Sequence, residues 1–212
     1  MTGAMKNSKI LRYFKNTLPL IIIGAVLVII GILIYWYSFE IWVLGTPIAV
    51  AGVVLLVIGF ALKQSDANYT AYFETKVEEM KSGQSREDEP IYKSTEYSFD
   101  GNKYSKLDST QKPRSEIFIE TDLYMDKKQV RAEIFTVNAA DETTDKKVFE
   151  FPIESVTASV REESVRCAGA EKKISKLTLS APDCQSCEFP VRYNDIDVDQ
   201  LVGKINDAKN RI

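Results

Sequence analysis

The rhythm of polar and apolar positions changes several times along the chain. Leu18–Tyr37 (LPLIIIGAVLVIIGILIYWY) is 20 residues without a charge. As an α-helix it extends about 30 Å, the thickness of bilayer hydrocarbon. Residues 41–62 (IWVLGTPIAVAGVVLLVIGFAL) repeat the pattern, and only Ser38, Phe39 and Glu40 lie between the two runs. A helical hairpin in a water-soluble core would need a polar face on each helix, and neither segment has one. A cleavable signal peptide would carry a shorter apolar run, about 7–15 residues, followed by small residues. The first run instead ends in Tyr35, Trp36 and Tyr37 and meets a second run at once. The pattern predicts a transmembrane helical hairpin over 18–62, with spans 18–37 and 41–62.

After the hairpin the spacing becomes that of an amphipathic helix. Over 64–82, the residues Tyr69, Tyr72, Phe73, Val77 and Met80 fall on one stripe, and Ser65 or Asp66 is placed to cap it. This stalk is expected to dock on the following domain or to pair with another subunit. Its charges nearly cancel, which disfavours a lipid-surface role. SGQSREDEP, residues 82–90, reads as a polar linker. From Ile91 the period shortens to two, and strands are expected at 94–99, 115–125, 131–137, 147–151, 155–161, 174–180 and 187–193. Turns are expected at 100–102, 126–128, 138–145, 168–169 and 181–183. The chain then returns to helical spacing, with a D-x-x-Q capping signal from Asp197 to Gln200 and a face of Leu201, Val202, Ile205, Ala208 and Ile212. The expected fold class is α+β, with an antiparallel β-barrel or sandwich capped by a C-terminal helix.

Charge sharpens this division. Residues 1–62 carry four basic groups (Lys6, Lys9, Arg12, Lys15) and one acidic group, Glu40; the remaining 150 residues carry 23 basic and 29 acidic groups, a net −6. Basic residues flank the spans at 6–15 and at Lys63, while the turn holds only Glu40, so the positive-inside rule places both termini in the cytoplasm. Tyr35, Trp36, Tyr37, Phe39 and Trp42 cluster near the turn, where interfacial rings belong. The expected organisation is a basic cytoplasmic tail (1–17), the hairpin (18–62), stalk and linker (63–90), and a cytoplasmic domain (91–212) at the cell membrane. Thr17 and Pro19 suit the start of the first helix, and Pro47 lies inside the second. Gly24 and Gly31 are seven residues apart, as are Gly45, Gly52 and Gly59. Folding about Ser38 brings Gly31 level with Gly45 and Gly24 with Gly52, which predicts a glycine-lined packing seam.

The segments SEIFIETDLYM, FPIESVTASV, KKISKLTL and CEFPVRYNDIDVDQLVGKIN are similar to the bacterial pleckstrin-homology-like (bPH-type) domains of membrane proteins, over 115–212. The sequence departs from that pattern at DETTDKK (141–147) and at CQSC. The resemblance implies a binding or scaffold module without catalytic residues of its own. An oligonucleotide-binding-type barrel is the alternative fold, but it does not need a long final helix.

Candidate chemistry is sparse. The chain has no histidine, which removes the commonest general base near neutral pH and the commonest metal ligand. Cys184 and Cys187 form a CxxC, but a zinc site needs a second pair of ligands, and only Cys167 and carboxylates remain. A thioredoxin-like pair would sit in a βαβ context, whereas this pair is expected in a hairpin loop. The basic clusters Lys112/Arg114, Lys127/Lys128/Arg131 and Lys172/Lys173/Lys176 read as solvated faces of an acidic domain, which disfavours anionic-lipid contact and nucleic acid. Glu162/Glu163 flank a turn, and Asp195/Asp197/Asp199 open a helix. No catalytic, cofactor or metal residue is assigned. The expected function is a non-enzymatic, membrane-anchored module for a protein or membrane partner, integral to the lipid bilayer and self-associating or partner-binding through hairpin and stalk. The alternative is a redox or metal accessory using Cys184 and Cys187.

Overall fold

A computed structural model describes residues 9–37, 42–82, 89–182, 186–192 and 196–208. The turn expected at 38–40 therefore lies outside the described residues. The chain forms two compact units, Met1–Tyr69 and Thr70–Ile212.

In the first unit, α1 (Leu18–Tyr37) and α2 (Trp42–Leu62) pack as a pair. The Thr17 carbonyl receives the Ile21 N–H, and Asn16 Oδ1 accepts from the Leu18 N–H at 3.1 Å. Side-chain oxygens before the first turn satisfy donors that the helix itself cannot. The glycine seam has the expected register. A methyl group on Gly31 would lie 2.7 Å from the Gly45 carbonyl oxygen, and one on Gly24 would lie 2.9 Å from that of Gly52. Gly24 and Gly31 are the buried residues of α1, and Gly45, Gly52 and Gly59 are buried in α2. Around the seam, large apolar side chains face outward: Leu33, Val43 and Val57 are each more than half exposed. Both helices are long and apolar enough to cross a membrane. Close backbone approach through small residues is how such helices gain dispersion contacts where no hydrophobic drive separates protein from lipid.

The basic tail is not featureless. Lys9–Phe14 forms a 3-10 helix whose Tyr13 ring stacks on Tyr69 at 4.0 Å and 10°, while Phe14 meets Tyr69 edge-on. The Tyr13 hydroxyl donates to Asp66 Oδ1 at 2.6 Å. Residues preceding α1 thus meet the start of α3 (Asp66–Lys81), which follows α2. Ser65 caps α3, its Oγ accepting from the Asn68 N–H.

The second unit contains nine described strands, where the sequence pattern predicts seven. They are β1 (Tyr92–Ser98), β2 (Ser105–Leu107), β3 (Pro113–Ser115), β4 (Ile117–Met125), β5 (Gln129–Asn138), β6 (Thr143–Pro152), β7 (Thr157–Cys167), β8 (Ala170–Ser180) and β9 (Cys187–Val191). The additional pair, β2 and β3, has only three residues in each strand, too short to show a period. All pairings are antiparallel and give three sheets: β1-β4-β5-β6, β2-β3 and β7-β8-β9. The barrel expected as one option is not closed, because among the described residues β6 and β7 are each paired on one side only.

The four- and three-stranded sheets share one core. Leu123, Val130 and Phe151 meet Leu177, Leu179 and Phe189, and α4 (Ile196–Ala208) adds Val198, Leu201 and Ile205. Asp197 and Asp199 lie in the first turn of α4, where anions suit the dipole; Ile212 is outside the described residues. The other face of the four-stranded sheet is covered by the second part of α3, where Phe73 stacks on Phe118 at 5.2 Å and meets Tyr97 edge-on. Burying each such ring contributes about 1.5–3 kcal/mol. Lys81, in the last turn of α3, pairs with the nearly buried carboxylates of Glu120 and Asp122 on β4. The stalk helix is therefore docked over this stretch. Docking also explains the imperfect alternation of β4 and β5: strands covered on both faces bury consecutive residues.

Candidate functional site

A cavity of about 550 Å³ opens in the second unit where β1, the β2–β3 turn, β8 and β9 converge. Each wall is held by local chemistry. In the β2–β3 turn, Asp108 Oδ1 accepts from the backbone N–H groups of Thr110 and Lys112 and from the Thr110 hydroxyl, at 2.8–3.0 Å. Gln111 takes a left-handed φ of 64° to close this turn. Burial acts against the Asp108 carboxylate, but donors from Lys112, Thr110 and Arg114 outweigh it and hold its pKa below the usual carboxylate range. Arg114 spans the wall, with Nε on Asp108 Oδ2 at 2.9 Å and Nη1 donating to the Tyr97 hydroxyl at 2.8 Å and to Thr70 Oγ1. Burial pushes the Tyr97 phenol up, against the opposing charge of Arg114.

Another part of the lining comes from β8, the second strand of the β7–β8 hairpin. Ala168 and Gly169, with φ of 51° and 83°, form its two-residue turn, the positive-φ pair that matches strand twist. β8 then carries Lys172, Lys173 and Ile174 to the cavity. Ser94 Oγ donates to the Pro190 carbonyl at 2.9 Å, fastening β1 to β9 beside it.

The cavity brings together parts of two basic clusters that the sequence separates by some sixty residues. Lys112 comes from the first, Lys172 and Lys173 from the second, and Arg192 joins them from the end of β9. Glu96 is the one carboxylate among the described lining residues, which together carry a net charge of +3. Tyr97, Ile174, Pro190 and Val191 supply an apolar floor. Arg114 and Lys176, the remaining members of those clusters, are structural. Lys176 is buried, contrary to its reading as part of a solvated face, and its Nζ holds Asp100 at 2.8 Å and Glu163 at 3.0 Å. Burial lowers the Lys176 pKa, but these carboxylates prevail and leave it raised. Glu162 faces Lys173 at 3.4 Å. Arg131, from the third cluster, lies over the Tyr124 ring at 4.7 Å and pairs with Glu133. Arg192 has no basic neighbour in sequence that would single it out; only tertiary pairing of β8 with β9 reveals it.

The CxxC is divided. Cys184 lies outside the described residues. Cys187 is not in a loop: it is the first residue of β9, opposite Leu179, and buried. Burial raises its thiol to about 12, against a hydrogen bond at Leu179, the reverse of the lowered pKa that a reactive thiolate needs. Cys167 pairs with Ala170 at the other end of β8, roughly 30 Å away at 3.3 Å per residue. Among the described residues, no group of three or more acidic, Cys or His side chains is placed to hold a metal.

No protein-family model, curated protein or solved structure matches this chain.

Proposed function

We propose that this chain is a non-enzymatic interaction module anchored in the cell membrane by its helical hairpin, with a PH-like domain and both termini on the cytoplasmic side. The observation that carries the anchor is the glycine seam. The helix pair buries its glycines against each other and turns Ile, Leu and Val outward on the remaining faces. Such a surface is costly in water and neutral in lipid. The basic residues before α1 and after α2 support the cytoplasmic orientation. Contact between Tyr13 and Tyr69 supports placing the two flanking segments on one side. The PH-like reading is supported by four long strands, then three, then a C-terminal helix whose Val198, Leu201 and Ile205 fill the core between the sheets.

The redox or metal alternative draws less support, because Cys187 is a buried strand residue with a raised pKa. Alkaline carbonate extraction followed by affinity capture from mild detergent tests the proposal. The chain should remain in the membrane pellet and retain the same partner with Cys184→Ser and Cys187→Ala. Release by carbonate, or loss of the partner on removing the thiols, would overturn it.

A further inference from the structure

We propose that the cavity between β1, the β2–β3 turn, β8 and β9 is a recognition site for an acidic peptide segment of a partner protein, one that carries an aromatic or aliphatic anchor residue. This deepens the interaction-module reading and rests on it. Two features of the cavity select this occupant. Its described lining residues carry a net +3 within a region, residues 63–212, whose net charge is −6, so its field favours an anionic ligand over the surrounding surface. Its floor, from Tyr97, Ile174, Pro190 and Val191, is apolar. A simple anion or a headgroup alone would leave that floor wet. A side chain anchored there, flanked by carboxylates on the lysine rim, uses both halves of the site, the usual arrangement of an apolar anchor within a polar ring.

The site is also prepared in advance. The turn bearing Lys112 is fixed by the hydrogen bonds to Asp108, and Arg114 ties that turn to Tyr97. β8 is held at Lys176 by Asp100 and Glu163. Little ordering is left for binding to supply, which favours recognition of a short segment.

The test uses the full chain in a neutral detergent and a dye-labelled peptide with one phenylalanine among glutamates, followed by fluorescence polarisation. Binding is expected, and it should weaken as salt is raised. Replacing the phenylalanine by serine should weaken it at least tenfold, and so should Lys112→Glu with Lys172→Glu. Arg192→Glu is a second, independent variant, and Lys127→Glu with Lys128→Glu, remote in the β4–β5 turn, should leave affinity unchanged. Melting temperatures of all variants confirm folding. Absence of binding, equal affinity of the rim variants, or indifference to the phenylalanine overturns the proposal. Displacement of the peptide by inorganic phosphate or by soluble dihexanoyl phosphatidylserine at equal concentration also overturns it, in favour of an anion or headgroup site. Membrane extraction is unaffected by these outcomes, so failure of the site and failure of the anchor are separable.

Discussion

Replacing Gly52 probes the hairpin at one of the close approaches between its two helices. A methyl group there would lie 2.7 Å from both the Gly24 carbonyl oxygen and the Val28 nitrogen. Ordinary contact begins near 3.4 Å, so the helices would have to part by about 0.7 Å at a point where the neighbours are backbone atoms and cannot rotate away. Separation there also loosens the reciprocal contact of Gly31 with Gly45. Overpacking of this kind costs about 1–3 kcal/mol, whereas alanine is about 1 kcal/mol better than glycine inside a helix. Gly52→Ala should therefore come out neutral to about 2 kcal/mol destabilising, and Gly52→Leu should reach the upper end of the overpacking range. Ala61 is exposed on α2, and Ala61→Leu should change stability by less than about 0.5 kcal/mol. Both tryptophans of the chain, Trp36 and Trp42, belong to the hairpin. Their fluorescence during titration of mild micelles with sodium dodecyl sulfate reports on this unit alone. Equal shifts for Gly52→Leu and Ala61→Leu, or a gain near 1 kcal/mol for Gly52→Ala, would refute close packing at the seam.

Gly203 presents the opposite case, because no described residue lies within 4 Å of a methyl group added there, on the exposed side of α4; Gly203→Ala should stabilise the second unit by about 1 kcal/mol in thermal melts, and a loss of stability would contradict the placement. Cys187, with its thiol raised to about 12 by burial, should resist N-ethylmaleimide at pH 7.5 in the native chain and react after denaturation, as read by peptide mapping; equal rates in both states would contradict its burial. The lowered pKa of Asp108 means that its hydrogen bonds stabilise the fold above the ordinary carboxylate value, about pH 4, and that this is lost as pH falls through the lowered value. The melting-temperature gap between wild type and Asp108→Asn should thus narrow on acidification below pH 4, and a gap that widens would contradict that role.

How much of this was legible in the sequence depended on whether one element or several decided the outcome. The hairpin spans and the pairing of Gly24 with Gly52 follow from length and spacing within single helices, and both were readable. The Ser65 cap and the turn at Ala168 and Gly169 are local and equally plain. The docking of α3 is less plain, because the stripe of Tyr69, Phe73 and Val77 shows that a face is buried without showing against what. Its partners, Phe118 and Tyr97, lie on strands whose alternation is blurred by burial on both sides. Tyr13 and Phe14 sit in a basic tail whose charges gave no hint of an aromatic stack. The cavity was least legible, since Lys112, Lys172 and Arg192 become neighbours only through sheet pairing and the tertiary fold. CQSC has the composition of a loop, yet the strand expected at 187–193 does begin at Cys187, so the second cysteine belongs to β9 rather than to a loop.

Cysteine accessibility in intact cells tests the membrane-anchored arrangement most directly. Single cysteines at Ser8, Ser38 and Asn210, in a chain whose native cysteines are replaced by alanine, would be exposed to a membrane-impermeant maleimide. The hairpin topology predicts labelling at Ser38 in intact cells and labelling at Ser8 and Asn210 only after permeabilisation. Labelling at Asn210 in intact cells, or protection at Ser38, would contradict the topology and the cytoplasmic placement of the domain with it.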